Sequence, residues 1–208
     1  MKNLFLKWCL VFSALLIAPS VMATNFSYSN LVLTGERMMF KEPTSLTAAD
    51  RTINGVSLKV GYQWAPNLFT RFELAQYAYD RKKLNVESKV TAAGLGVGVA
   101  KAVTDRVDVY ALVSAKQTFL EVKSTTNSSD EAVYLVGELG FRNWLTPSVE
   151  FNSAIVYSKQ PNEKDKLDSS MHVPIGIGFW LEPNAAIHLK YLISEDFYGA
   201  SLGYEVHF

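Results

Sequence analysis

The sequence contains a single cysteine, Cys9, which lies near the start of the chain. After it no thiol remains, so the rest of the chain cannot form a disulfide or a cysteine metal site. Nor does any later stretch approach the ~18 consecutive apolar residues of a membrane-spanning helix. Because 49% of the residues are nevertheless hydrophobic, the chain must bury or cover these side chains in some other arrangement.

The first 23 residues have the pattern of a cleaved secretory signal. Two lysines come first, a short apolar stretch follows, and small residues lead to a predicted cleavage between Ala23 and Thr24. A single membrane anchor is the alternative, but the apolar stretch is shorter than the ~20 residues that a spanning helix needs. We therefore predict a signal peptide at 1–23 and a single mature domain at 24–208.

An excess of charge of one sign is also missing. Twenty basic residues are balanced by twenty acidic ones, which argues against the basic patch of a nucleic-acid-binding protein. The chain has only three histidines, and they are scattered, which is not the pattern of a metal site. We therefore expect no cofactor, no metal and no nucleic-acid partner.

Catalytic motifs are equally sparse. The histidines are His172, His188 and His207, and none begins a His-x-Ser sequence. Only His172, which follows Asp168 and two serines, leaves an alternative open: a hydrolase located at a rim. Polar loop residues beside one histidine are common, so we expect that the protein is not an enzyme.

What the sequence does contain is a repeat of short turns and longer polar stretches. Pro, Asn, Asp and Ser close tight turns, and four such turns recur between alternating segments, at 64–68, 103–107, 145–149 and 181–185. The longer polar stretches lie at about 36–54, 80–88, 122–131, 159–170 and 194–196. Short turns at one end and longer loops at the other are typical of outer-membrane barrels.

Between the turns and loops, apolar and polar residues alternate as they do in strands. We count ten strands, at about 26–35, 56–64, 68–79, 89–101, 107–116, 135–142, 149–158, 172–181, 187–194 and 197–208. The pattern predicts an all-β fold, an antiparallel up-and-down transmembrane β-barrel, and eight strands are the alternative if 26–35 and 89–101 do not cross. A soluble β-sandwich would also alternate, but the charged face here is rich in glycine, which suits a crowded lumen better than a solvated face.

Aromatic residues near the short turns support the barrel. Trp64, Trp144 and Trp180 each come just before a short turn, and Phe208 ends the chain at the same level. Amphipathic aromatics at one height form a girdle at the membrane interface. We therefore predict that these four side chains form such a girdle.

The last eight residues, SLGYEVHF, alternate up to the final phenylalanine. In lipid every backbone polar group must be paired, so the last strand of a barrel must pair with the first along its length. Ser201, Gly203, Val206 and Phe208 resemble the C-terminal assembly signal of outer-membrane β-barrels, although Val206 stands where that pattern often has a second aromatic residue.

The whole mature chain resembles the small single-domain barrels of Gram-negative outer membranes, the OmpA, OmpX and Ail-like group. The resemblance implies a location in the cell outer membrane, in contact with membrane lipids and lipopolysaccharide. It also implies assembly by the outer-membrane insertion machinery, with both termini in the periplasm. We expect the protein to be a monomer.

The predicted inward face carries a balanced set of charges, which we expect to form a salt-bridge network because lone buried charges are costly. The positive members are Lys59, Arg71, Lys116, Arg142 and Lys190, and the negative members are Glu73, Asp108, Glu138, Glu150 and Glu205. An ion-selective pore would more often show one sign in excess. The glycines at 94, 96 and 98 leave room on one wall and keep a narrow passage open as an alternative.

These observations predict a barrel with a largely plugged polar lumen and a structural or surface-interaction role. Recognition would be carried by the extracellular loops 36–54, 122–131 and 159–170, which could contact a host, a phage or another surface ligand. A narrow channel for ions or very small solutes is the first alternative, and the rim-located hydrolase is the second.

Overall fold

The computed structural model describes residues 26–41, 52–81, 86–123, 128–161 and 169–208. The predicted signal peptide and its cleavage position lie outside these residues, as do the central parts of the predicted long loops. Within the described ranges, no helix is long and apolar enough to cross a membrane.

Ten antiparallel strands close into one barrel. They are β1 (Asn30–Phe40), β2 (Thr52–Ala65), β3 (Leu68–Arg81), β4 (Val86–Thr104), β5 (Val107–Lys123), β6 (Ser128–Thr146), β7 (Val149–Lys159), β8 (Ser169–Glu182), β9 (Ala185–Ser194) and β10 (Phe197–His207). Strands adjacent in sequence pair with each other, and β1 pairs with β10 from Asn30–His207 to Phe40–Phe197. The ring confirms the predicted up-and-down barrel of ten strands; the eight-stranded alternative and the β-sandwich are wrong.

Alternation of side chains builds two different surfaces from each strand. In β10, Tyr204 is 48% exposed on the outside, whereas Glu205 beside it is 5% exposed and points inward. Large apolar side chains such as Leu33, Leu95 and Leu202 stay more than half exposed on the outer face. A closed ring with an apolar outer surface satisfies its backbone internally and requires lipid around it. The architecture is therefore that of a transmembrane β-barrel.

One end of the barrel, called here the short-turn end, is closed by four two-residue turns at 66–67, 105–106, 147–148 and 183–184. The strand before each turn contains a register shift, such as the one between Gln63 and Ala65. The second residue of each turn accepts a backbone hydrogen bond from a later strand; the Trp144 N–H, for example, donates to the Arg106 carbonyl at 2.9 Å, and the His207 N–H donates to the Asn184 carbonyl at 2.8 Å. These bonds link each of the four predicted turns to the next part of the wall.

At the opposite end, called here the loop end, the strands differ in length. Strands β4, β5 and β6 have 19, 17 and 19 residues, whereas β9 has 10 and β10 has 11. Several positions predicted as loop are therefore strand, including 86–88, 122–123 and 128–131. About 9–11 residues suffice to cross the hydrocarbon layer, so this part of the wall continues beyond the membrane, where polar residues on both faces hide the alternation.

The start of the first strand also differs from the prediction. The ladder of β1 begins at Asn30 rather than near residue 26. Residues 26–29 leave the wall and turn into the lumen, where Phe26 and Tyr28 are only 3% and 4% exposed. This inward segment, called here the N-terminal segment, shapes the short-turn end of the lumen.

Candidate functional site: the barrel lumen

A cavity of about 680 Å³ lies inside the barrel, and all ten strands contribute to its lining. Nine of the ten predicted lumen charges line it. The tenth, Asp108, is fully buried near the short-turn end, where its carboxylate accepts a hydrogen bond from the Phe26 backbone N–H at 3.3 Å. Alternation along the strands therefore places all ten predicted charged residues inside the barrel.

An aromatic cluster lies between the cavity and the short-turn end. The Phe26 ring stacks on Trp144 with centroids 4.9 Å apart, and the Tyr28 ring stacks on Phe69 at 4.6 Å. Tyr110 contacts both Tyr28 and Phe69 edge-on. Stacked and edge-on pairs of this kind add to the energy of burial, so the cluster fixes the N-terminal segment against the barrel wall.

Arg142 ties this cluster to the charged residues around it. Its Nε and Nη2 donate to the two carboxylate oxygens of Glu150 at 2.8 and 2.7 Å, a bidentate arrangement. The guanidinium lies 4.6 Å from the centre of the Phe26 ring, and Nη1 donates to the Ser27 carbonyl at 3.3 Å. One side chain from β6 thus holds both a buried carboxylate and the N-terminal segment.

Glu205 forms a second centre beside this pair. Its Oε1 accepts a hydrogen bond from Asn30 Nδ2 at 2.7 Å and lies 2.6 Å from His207 Nε2 and 3.6 Å from Arg142 Nη2. His188 Nε2 is 2.8 Å from Oε2, although the contact lacks hydrogen-bond geometry. Several donors therefore surround one buried carboxylate, so charge is compensated at this end of the lumen.

Two further ion pairs cross the lumen nearer its middle. Arg71 Nη1 donates to Glu138 Oε2 at 2.9 Å, and the Tyr110 hydroxyl donates to Oε1 of the same carboxylate at 2.6 Å. Lys116 Nζ donates to Glu73 Oε1 at 2.8 Å. Each of these two ion pairs joins strands that are not adjacent in the barrel.

Lys59 and Lys190 behave differently from the other lumen cations. Both line the cavity, but within the described ranges no carboxylate oxygen lies within 4.0 Å of either ammonium group.

One lumen carboxylate was missed by the sequence analysis. Glu36 on β1 accepts hydrogen bonds from the Ser57 and Tyr77 hydroxyls, at 2.9 and 3.0 Å. It shares its face with Val32 and Thr34, so alternation would have identified it if the first strand had been extended beyond residue 35.

The four residues of the predicted aromatic girdle lie on two different faces of the wall. Trp64 and Phe208 are exposed on the outer face, at 54% and 68%. Trp144 and Trp180 were placed in the girdle wrongly: Trp144 stacks on Phe26, and Trp180 Nε1 lies 3.3 Å from Glu150 inside the barrel. The physical reason is alternation, since each tryptophan is two residues after a lumen-facing position of its own strand.

The glycines on the inner face of β4 leave less room than expected. A Cβ at Gly98 would lie 2.3 Å from Phe69 Cζ, and one at Gly96 would lie 2.7 Å from Ser114 Cβ. Only Gly94 would admit a Cβ at an ordinary contact distance, with its nearest neighbour at 3.5 Å. Neighbouring side chains therefore occupy most of the space on this wall.

Near the loop end, His172 faces the cavity and packs beside the Phe197 ring at 6.0 Å. Ser170 shares a hydrogen bond of 2.7 Å with Ser158, and Asp168 lies outside the described residues. No group of three or more metal-ligating side chains occurs in the part of the chain that the structure describes.

The residues of the predicted assembly signal divide between the two faces of β10. Ser201 and Gly203 are buried on the inner face, whereas Val206 and Phe208 belong to the outer face. The Phe208 backbone N–H donates to the Ser29 carbonyl at 3.2 Å. The assembly role of these four residues remains a prediction.

No protein-family model matches the chain, and no curated protein matches its sequence. Solved structures do resemble it. The NanC porin has a TM-score of 0.53 at 8% identity, with 86% of this chain and 100% of that chain covered. Ail of Yersinia pestis has a TM-score of 0.46 at 14% identity, with 85% of this chain and 97% of that chain covered. Neisserial surface protein A has a TM-score of 0.46 at 13% identity, with 90% of this chain and 99% of that chain covered. At these identities the likeness concerns the fold alone, and the NanC porin, with a TM-score above 0.5, agrees with the predicted β-barrel fold.

Proposed function

We propose that the lumen is plugged near the short-turn end and that the protein serves a structural or surface-interaction role through its loop end. The observation that carries the proposal is the N-terminal segment inside the barrel. Phe26 and Tyr28 are almost fully buried there, and Asp108, Gln63 and Arg142 bind their backbone or that of Ser27. A segment fixed by stacking, hydrogen bonds and ion pairs does not leave an open water path.

The loop end supports the second half of the proposal. Strands β4, β5 and β6 exceed the length needed to cross a membrane. Their extra residues form a wall that carries exposed charges, among them Glu121, Lys123, Asp130 and Glu131. Loops on a rigid scaffold commonly carry recognition, and this wall would present the loops to a host, a phage or another surface ligand.

The remaining assignments complete this proposal. Residues 1–23 are removed as a signal peptide, and the mature domain 24–208 is inserted as a monomer through the signal at the end of β10. The short-turn end then faces the periplasm and the loop end faces the exterior. The protein performs no catalysis under this proposal.

The alternative function is a narrow channel for ions or very small solutes. The cavity of about 680 Å³ favours it, because only the short-turn end would then have to open. That opening requires displacement of the N-terminal segment from its aromatic and charged contacts.

Conductance of the refolded protein in a planar lipid bilayer separates the two functions. We expect no current steps above background for the wild type. The Phe26→Ala/Tyr28→Ala variant should produce steps, because it removes the two rings that fill the short-turn end. Its matched control is Phe141→Ala/Phe151→Ala, which removes an aromatic pair 5.7 Å apart on the outer face. Stable steps from the wild type, or a silent Phe26→Ala/Tyr28→Ala barrel, would contradict the plug.

A further inference from the structure

The lumen cations fall into two groups. Arg71, Lys116 and Arg142 each bind a carboxylate, at 2.9, 2.8 and 2.7 Å. Lys59 on β2 and Lys190 on β9 have no carboxylate within ion-pair distance among the described residues, although both line the cavity. Both side chains are half-buried, and an ammonium group that loses part of its hydration normally gains a polar partner, so this difference calls for a cause.

The residues beside Lys190 in the barrel wall have small side chains or none. In the ladder Lys190 lies between Gly176 of β8 and Ser201 of β10. A Cβ at Gly176 would be 2.8 Å from Lys190 Cγ and 2.6 Å from Asn152 Oδ1. Glycine at this position therefore allows the lysine stem and the Asn152 amide to share one small area of the wall.

The carboxylates that attract Lys190 are already engaged elsewhere. Its electrostatic surroundings include Glu205 and Glu138, together with the like charges of Lys59 and Arg71. Glu138 is bound by Arg71 and Tyr110. Glu205 is surrounded by Asn30, His207 and Arg142.

Lys59 is in a similar position. Glu73 and Glu36 are the carboxylates that attract it most. Glu73, however, accepts a hydrogen bond from Lys116 at 2.8 Å, and Glu36 accepts bonds from the Ser57 and Tyr77 hydroxyls. Each lysine thus offers up to three N–H donors to the cavity.

We propose that the cavity binds a small solute carrying carboxylate or phosphate groups, held between Lys59 and Lys190. An oxyanion would give both ammonium groups the charge-assisted hydrogen bonds that no carboxylate among the described residues supplies. The cavity volume of about 680 Å³ suits a small-molecule ligand. Asn152 adds a neutral polar group beside Lys190. The proposal does not depend on whether the short-turn end conducts, because the ligand could enter from the loop end.

Isothermal titration calorimetry on the refolded protein in zwitterionic detergent micelles tests this site. Citrate and inorganic phosphate are the probes, and glucose is the neutral comparison. We expect saturable binding of citrate, phosphate or both, and none of glucose. Binding of citrate alone identifies a carboxylate ligand, and binding of phosphate alone identifies a phosphate ligand. Affinity should fall with added salt because salt screens charge attraction.

Variants then locate the site. Lys59→Gln and Lys190→Gln should each weaken binding by about tenfold or more, since each removes a charge-assisted hydrogen bond. Lys159→Gln is the matched control, because Lys159 is exposed on the outer face and should bind with wild-type affinity. A heat-dependent gel shift verifies that each variant is folded. Absence of saturable binding to the wild type overturns the proposal, as does equal binding of glucose or equal affinity in folded Lys59→Gln, Lys190→Gln and Lys159→Gln proteins.

Discussion

Arg142 is the residue on which the short-turn end of the lumen most depends. It is 7% exposed and bonds in bidentate fashion to Glu150, which is fully buried. Arg142→Met would leave that carboxylate without its ion-pair partner, which costs about 3–5 kcal/mol in buried pairs. Changing Glu150→Leu as well removes the stranded charge, so the double variant should be more stable than Arg142→Met alone. Urea unfolding of the refolded proteins, compared as free energies of unfolding, measures both effects.

Arg106→Met is the control for that cycle, because it makes the same change at an exposed turn residue. Its free energy of unfolding should stay within about 0.5 kcal/mol of the wild type. If Arg142→Met were no more damaging than Arg106→Met, the pair would not stabilise the short-turn end.

For a single charged residue, alternation predicts that its side chain faces the lumen, but it does not predict which residue the side chain pairs with. Arg71 is separated from Glu138 by 67 positions and reaches it from β3 to β6. The tilt and stagger of the strands in the whole barrel determine which carboxylate a cation contacts. The local sequence predicts neither the tilt nor the stagger. Lys59 and Lys190 illustrate the limit, since pairing was expected for both and the described residues supply no carboxylate partner.

Among the strands, β4 affects stability through its inner face, which packs against Phe69 of β3. Phe69 of β3 is 1% exposed and is stacked between Tyr28 and Gly98. A Cβ at Gly98 would lie 2.3 Å from the Phe69 ring, so the ring would have to shift and disturb its contacts with Tyr28 and Tyr110. Gly98→Ala should destabilise the barrel by about 1–3 kcal/mol, the usual cost of overpacking. The midpoint of urea unfolding measures it.

Gly94→Ala provides a control on the same strand and the same face. Its added Cβ would meet nothing closer than 3.5 Å, so we expect wild-type stability or a slight gain. Equal loss at Gly94 and Gly98 would show that β4 needs glycine for its backbone rather than for the space that Phe69 occupies.

The segments and side chains of β1, β6 and β8 that lie elsewhere than predicted have related causes. Phe26 and Tyr28 continue the alternation of β1, so an inward segment and a strand look alike in the sequence. Trp144 and Trp180 were assigned by residue type and by their distance from a turn, whereas the period of two along β6 and β8 already predicted the lumen. At the loop end several strands extend further than predicted, because a wall outside lipid does not need an apolar face and therefore shows no alternation.

For the whole molecule, the sequence was sufficient to predict the topology, since ten alternating segments joined by short turns allow few other arrangements. The volume of the cavity and the aromatic cluster beside its short-turn end were beyond the same reasoning. Both depend on side chains from distant strands meeting across the lumen, as Trp144 does with Phe26.

The closure of the ring leads to a prediction about resistance to detergent. Pairing of β1 with both β2 and β10 leaves no strand edge open among the ten described strands, so unfolding must break a complete ladder rather than fray an edge. We therefore expect the refolded protein to resist sodium dodecyl sulfate until it is boiled and to migrate differently on a gel before and after boiling. Deletion of β1 (Asn30–Phe40) exposes the edges of β2 and β10 and should abolish that shift. Identical mobility of boiled and unboiled wild type, or a shift that survives the deletion, would contradict a barrel whose stability comes from closure.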